Sequence, residues 1–116
     1  MQIRKTYKSL NPELLYHEIR DLALKRGVSM GDAKLETYSL PSDSSTFMSR
    51  GTLVFKIRDE SDKIEKECLR VHTVGSARSE TKVMFDIEER LFPQSKITAL
   101  LDDMDFILGS YEVKPR

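Results

Sequence analysis

The chain holds one cysteine, no tryptophan, five glycines and four prolines in 116 residues. A single thiol, Cys68, excludes an internal disulfide framework and any zinc site built on several cysteines. The scarcity of Gly and Pro, beside 39% hydrophobic residues, excludes a disordered or low-complexity chain. Long apolar runs are also missing. The longest, such as Leu53-Val54-Phe55, reach three residues, where a membrane span needs about 20. An excess of one charge sign is missing too: 19 Lys plus Arg balance 19 Asp plus Glu. That balance argues against holding nucleic acid or an anionic membrane by bulk charge. The start, Met1-Gln2-Ile3-Arg4-Lys5-Thr6, lacks the apolar core of a signal peptide. Gln2 stands where myristoylation needs glycine, and there is no C-terminal Cys box. With the free thiol, this leads to the expectation of a cytoplasmic protein without membrane attachment.

The length fits one globular domain, residues 1–116, large enough for one ordinary core. Alternation predicts strands over 2–8, 33–40, 51–58, 67–74 and 81–89. The cleanest is 51–58, where Leu53, Phe55 and Ile57 alternate with Thr52, Val54, Lys56 and Arg58. In 67–74, alternation sets Leu69 and Val71 against Cys68, Arg70 and His72. Asn11 as N-cap, Pro12 at the first helical position and Gly27 as the stop frame a helix. Its core stripe is Leu15, Ile19, Leu22 and Ala23. Pro93 and Ser95 open a second helix carrying Ile97, Leu100, Leu101 and Met104. Residues 110–114 read as a short last strand. Residues 41–45 read as a polar loop, 59–66 as a charged connection too polar to bury, and 75–79 as a hairpin turn.

The predicted order is β-α-β-β-β-β-α-β. Short connections favour an antiparallel sheet, and two helices with one apolar stripe each cover one face of it. The fold class is therefore α+β, a two-layer sandwich. Its expected core is Ile3, Tyr7, Leu15, Ile19, Leu22, Leu53, Phe55, Ile57, Leu69, Val71, Val83, Phe85, Ile87, Ile97, Leu100, Leu101 and Met104.

Catalytic motifs are scarce. No phosphate loop, GxGxxG or HExxH occurs. Gly27-Val28-Ser29-Met30-Gly31 has the GxSxG form, but a nucleophile elbow needs a strand before the serine and a helix after it. Here a helix precedes, so the segment reads as a cap glycine and a loop. Glu13, His17 and Asp21 share a helix face but lack a second element to complete a metal site, and read as an exposed face. Cys68 and His72 lie about 13 Å apart along a strand, too far for a nucleophile and its base. The adjacent acids Glu88-Glu89 and Asp102-Asp103 diverge from one another and read as solubilising charges. No catalytic residue, metal or cofactor is assigned.

One surface stands out. Opposite the apolar strand faces lie Arg4, Lys8, Lys56, Arg58, Arg70, His72 and Lys82, with Asp86, Glu88 and Glu36 among them. With helices on one side only, these groups converge on the open sheet face, where Arg and Lys can clamp phosphate or carboxylate. Val54, Val74 and Met84 share that face, and a two-fold contact covering them would make a homodimer. The same pattern also describes an ordinary solvated sheet face.

The element order and the segment Leu53-Val54-Phe55-Lys56-Ile57-Arg58 resemble the tunnel-fold triphosphate hydrolases. The resemblance implies a β-tunnel lined by basic and acidic side chains. That family carries an N-terminal strand of alternating Glu; here the stretch reads Gln2-Ile3-Arg4-Lys5-Thr6-Tyr7-Lys8, so no catalytic residue carries over.

The leading expectation is a small non-enzymatic domain that binds a protein partner or an anionic ligand across the open face. A phosphate- or nucleotide-handling enzyme on the same face is the alternative. Nucleic-acid binding is the weakest reading, because no aromatic pair lies between the basic residues. The neutral total conceals a division: residues 1–58 hold ten Lys/Arg and six Asp/Glu, residues 59–116 nine and thirteen.

Overall fold

Asn11 and Pro12 mark where the chain leaves its first strand and turns beneath the sheet. In the computed structural model, which describes residues 1–40, 43–76 and 78–114, β1 (Gln2–Lys8) is followed by α1 (Pro12–Leu24). Asn11 Oδ1 accepts from the amides of Glu13 at 2.8 Å and Leu14 at 3.4 Å, satisfying two donors that the first helical turn leaves free. Gly27, at φ 81°, turns the chain out of the helix through a conformation that side chains resist.

Four strands then follow as a meander: β2 (Ser29–Leu40), β3 (Asp43–Asp59), β4 (Ile64–Gly75) and β5 (Glu80–Ile87). The sheet order is β1-β5-β4-β3-β2, antiparallel throughout. β1 and β2 thus occupy opposite edges, and α1 must carry the chain from one to the other. At 1.5 Å per residue its 13 residues span about 20 Å. Four inter-strand spacings come to about 19 Å. The helix makes this passage over β2, β3 and β4, its first turn already reaching β2, where Thr37 Oγ1 donates to Glu13 Oε1 at 3.0 Å. α2 (Gln94–Leu108) and a 3-10 turn (Gly109–Tyr111) complete the chain. The architecture is the α+β sandwich expected, with a five-stranded antiparallel sheet and two helices.

Every expected core residue joins the cluster, with Ile3, Ile57 and Leu101 partly buried at its rim. Leu10, Tyr16, Val28, Cys68, Phe92 and Leu108 belong to it as well. Tyr16 lies directly over Gly51, where an added Cβ would stand 2.5 Å from its ring.

Several boundaries differ from the sequence reading. β2 and β3 form a longer hairpin than expected, and residues 43–45, read as loop, belong to β3. Residues 41–42 of that expected loop lie outside the described residues. β4 ends at Gly75 opposite Ser49, so beyond that point β3 pairs only with β2. The resulting ribbon helps to lengthen the molecule to 51 × 30 × 20 Å. Its radius of gyration is 15.0 Å, against about 13 Å for a compact chain of this length. The expected last strand is reduced to one bridge, Tyr7 to Glu112, beside the bond from Val113 N to Thr6 O at 2.7 Å.

The 59–66 connection does contain a buried charge. Asp59 is 4% exposed. Its carboxylate accepts from Ser61 N (3.0 Å), Ser61 Oγ (2.8 Å), Lys66 Nζ (2.9 Å) and Arg90 Nη2 (2.9 Å). Four donors make the burial tolerable. They also tie the β3–β4 turn to the segment that leads into α2.

Cys68 is the other correction. Phe55 pairs with Leu69 while Lys56 pairs with Glu67, so Cys68 is an extra residue in a β-bulge. The bulge turns it off the open face and into the core, where it is 1% exposed.

Candidate functional site

The register defines the open face strand by strand. One row runs Arg4, Met84, His72, Thr52, Lys34 from β1 to β2; the next runs Thr6, Lys82, Val74, Arg50, Glu36. Paired residues share a face, so these ten side chains form a two-row band across the sheet. Glu36 is its only acid. A shallow hollow of about 460 Å³ opens over the β1 end of the band, lined by Arg4, Thr6, His72, Val74, Lys82 and Met84, with Lys5 and Val83 beside them.

The seven basic residues expected on this face separate into two groups. Lys8 stands opposite Glu80, Lys56 opposite Glu67, Arg58 opposite Glu65, and Arg70 opposite Asp86. Arg70 is further held by Glu67, with Nη2 at 2.7 Å and Nε at 3.1 Å. This pair raises the Arg70 pKa and holds the Glu67 carboxyl below its usual range. Arg4 and Lys82 have no acidic residue directly opposite. Arg4 faces Met84, and Lys82 lies between Thr6 and Val74. Neither makes an ion pair among the described residues. His72 lies between them and the sheet centre, half-buried, with Thr52 Oγ1 3.5 Å from its Nδ1.

The structure therefore brings Arg4, His72 and Lys82 to one hollow and leaves Lys8, Lys56 and Arg58 outside it. Arg70 lines a second hollow of about 380 Å³ with Asp32, Ala33, Lys34, Thr52 and Val54. Both cations there are occupied, Arg70 by Glu67 and Lys34 by Glu36 at 3.0 Å. Among the acids named with the face, Asp86 and Glu36 are on it, whereas Glu88 follows the end of β5. Val54 is buried, only 5% exposed, and Val74 and Met84 are half-buried. The apolar part of the face is thus narrow. It forms the floor of the first hollow rather than a broad patch.

Alternation sets Thr6 and Thr52 on the polar strand faces but assigns them no role, and Arg50 precedes the expected strand 51–58; their place in the band depends on register, which spacing along one strand does not reveal. Lys5 projects to the helix side, where its ammonium meets Glu112 at 3.2 Å. It lines the hollow only at the sheet edge.

The remaining chemistry-bearing residues lie elsewhere. Burial pushes the Cys68 thiol up to about 11, so it stays protonated at neutral pH. Its Sγ is 3.5 Å from Phe55 O. Ser29 opens β2, with Oγ 3.3 Å from Lys56 O and 3.4 Å from Glu65 Oε1. His17 is exposed, its ring T-shaped against that of Tyr16 with centroids 5.2 Å apart. Among the described residues no group of three or more His, Cys, Asp or Glu is placed to hold a metal ion. No helix is long and apolar enough to cross a membrane. β1 and β2 do not pair, so the described strands form an open sheet rather than a closed tunnel. No family model, curated protein or solved structure matches the chain.

Proposed function

We propose that this is a binding domain that takes an anionic ligand with an apolar portion in the hollow between β1, β5 and β4. One observation carries the reading: the two expected cations with no acid opposite them, Arg4 and Lys82, line the same hollow, whose floor is Val74 and Met84. A guanidinium and an ammonium with no anion to displace are ready donors for a carboxylate or phosphate. The apolar floor adds affinity in proportion to the area it removes from water, about 25 cal/mol per Å². Thr6 supplies a hydroxyl beside Lys82, and His72 a ring nitrogen. The cytoplasm, where a lone thiol stays reduced, is the setting proposed for it.

The test is a thermal-shift panel with a medium-chain fatty acid, a nucleoside monophosphate and inorganic phosphate. A ligand at about 100 times its dissociation constant adds about 2.7 kcal/mol of stability. The fatty acid or the nucleotide raises the melting temperature of the wild type. Arg4→Glu and Lys82→Glu each abolish that shift, while Lys8→Glu and Arg58→Glu leave it intact. No shift across the panel, or equal loss in all four variants, defeats the reading. Turnover of the nucleotide would move it to the phosphate-handling alternative.

A further inference from the structure

The two edges of the sheet are finished differently. Along β1, Thr6 O accepts from Val113 N and Tyr7 bridges Glu112, so the C-terminal segment lies against that edge. β2 pairs only with β3, and its outer edge, 12 residues long, has no strand beside it among the described residues. An edge of that length presents a row of unpaired N–H and C=O groups, which proteins blunt with proline, bulges, charges or a cover. β2 contains no proline. Its bulge at Gly31-Asp32 leaves Ala33 to Ser39 in regular register with β3. Ala33 and Thr37, which flank Leu35 on the helix side, are exposed; α1 reaches this edge at Thr37, whose Oγ1 donates to Glu13 Oε1 at 3.0 Å, and leaves Ala33 open.

We propose that β2 pairs antiparallel with β2 of a second copy of this chain, about a two-fold axis through Leu35. The two five-stranded sheets then become one continuous sheet. Charge selects the register. Such an axis stands normal to the sheet, so opposed residues share a face and the register must centre on a residue. Centred on Leu35, Lys34 faces Glu36 of the second copy and Glu36 faces its Lys34, giving two opposite-charge pairs. Leu35, already packed against its own core, meets its equivalent and joins the two cores. Centred on Lys34 instead, two ammonium groups oppose each other and Asp32 faces Glu36 twice. Centred on Glu36, two carboxylates collide. Like charges directly opposite destabilise a pair of strands, so the Leu35 register stands alone among the three. Within each chain Lys34 Nζ and Glu36 Oε1 are 3.0 Å apart and both side chains are exposed. The exchange between copies therefore buries neither charge.

The oligomeric state of the full chain tests this. Sedimentation equilibrium shows a concentration-dependent dimer for the wild type. Lys34→Glu alone, or Glu36→Lys alone, sets like charges opposite at two symmetric places and weakens the dimer by about tenfold or more. The double reversal restores it, because opposite charges face each other again. Circular dichroism stays unchanged, as do melting curves taken at a concentration low enough for the wild type to be monomeric, since both positions are exposed. Leu35→Cys gives a second readout. Directly opposed Cα atoms lie about 4.5–5.5 Å apart, within disulfide reach, so mild oxidation yields a covalent dimer. Tyr38→Cys, which faces Asp32 of the second copy, yields none. A wild type that stays monomeric at about 1 mM, a dimer indifferent to both single reversals, or a double reversal that fails to restore it overturns the proposal. The altered positions lie outside the anion hollow, so this result and the ligand panel are read separately.

Discussion

Gly51→Ala changes stability in a direction that the sequence alone would get wrong. Glycine inside a strand is costly, and replacing it by alanine where the backbone and space allow adds about 0.4–1 kcal/mol. Here the space is absent. A Cβ at position 51 would lie 2.5 Å and 2.9 Å from Tyr16 Cδ2 and Cε2 and 2.7 Å from Thr73 Oγ1. Tyr16 and Thr73 are 4% and 3% exposed. Neither has free room, so α1 must lift off β3 or the ring must leave its rotamer. Overpacking of this kind costs about 1–3 kcal/mol. For 116 residues, one kcal/mol corresponds to about 4 °C in melting temperature. The expected fall is therefore about 4–12 °C. Thermal melts followed by circular dichroism measure it. Tyr16→Val removes both colliding ring atoms and leaves only the Thr73 Oγ1 contact, so in that background Gly51→Ala costs clearly less. The double-mutant cycle thus isolates the clash from every other effect of the alanine. A rise in melting temperature on Gly51→Ala alone, or the same fall in both backgrounds, would refute the packing argument.

Three further outcomes follow from the same geometry. Its four donors, the Arg90 guanidinium first, hold the Asp59 carboxyl well below the ordinary carboxylate range near 4. Its contribution to stability is therefore full at neutral pH and is lost as pH falls below about 5. Asp59→Asn should melt lower than wild type at pH 7 and show a shallower loss on acidification; parallel pH profiles would exclude the role. Cys68, buried and protonated, should react with a thiol reagent in native protein only at the rate of opening, and rapidly in urea; equal rates would contradict the bulge. Arg70→Ala should raise the Glu67 pKa toward the ordinary glutamate value, since the guanidinium is the main cause of its depression, and NMR titration of the side chain reads this directly.

Much of the fold was legible because local chemistry and tertiary structure agree. Asn11 and Pro12 open α1 where their capping roles place them, and Gly27 turns the chain away two residues beyond the C-cap, Lys25. Leu53, Phe55 and Ile57, like Val83, Phe85 and Ile87, face the core as strict alternation requires. The illegible part has physical causes. Tyr16 falls outside the apolar stripe of α1, yet it is buried, because Gly51 leaves a space that only the folded sheet creates. Asp59 looks like a surface charge until Arg90, from 31 residues away, is placed beside it. On the open face, the likeness among seven basic residues concealed unlike neighbours. Arg4 meets Met84 only because β1 lies against β5, a pairing with no local signal.

The bulge at Cys68 acts on both faces of the sheet. In a regular strand Glu67 and Arg70, three apart, would point to opposite faces. The extra residue brings them to the same face, and there the carboxylate takes both Nε and Nη2 of the guanidinium. One inserted residue therefore does two things: it sinks a thiol into the core and removes Arg70 from the cations free to hold a ligand. Lys56 gains the same acidic neighbour from the same shift. The expected cations of this face with no acid directly opposite are then Arg4 on β1 and Lys82 on β5, the two on which the proposed binding rests. A chain of zero net charge thereby keeps a local positive site, because register, not composition, decides which charges cancel.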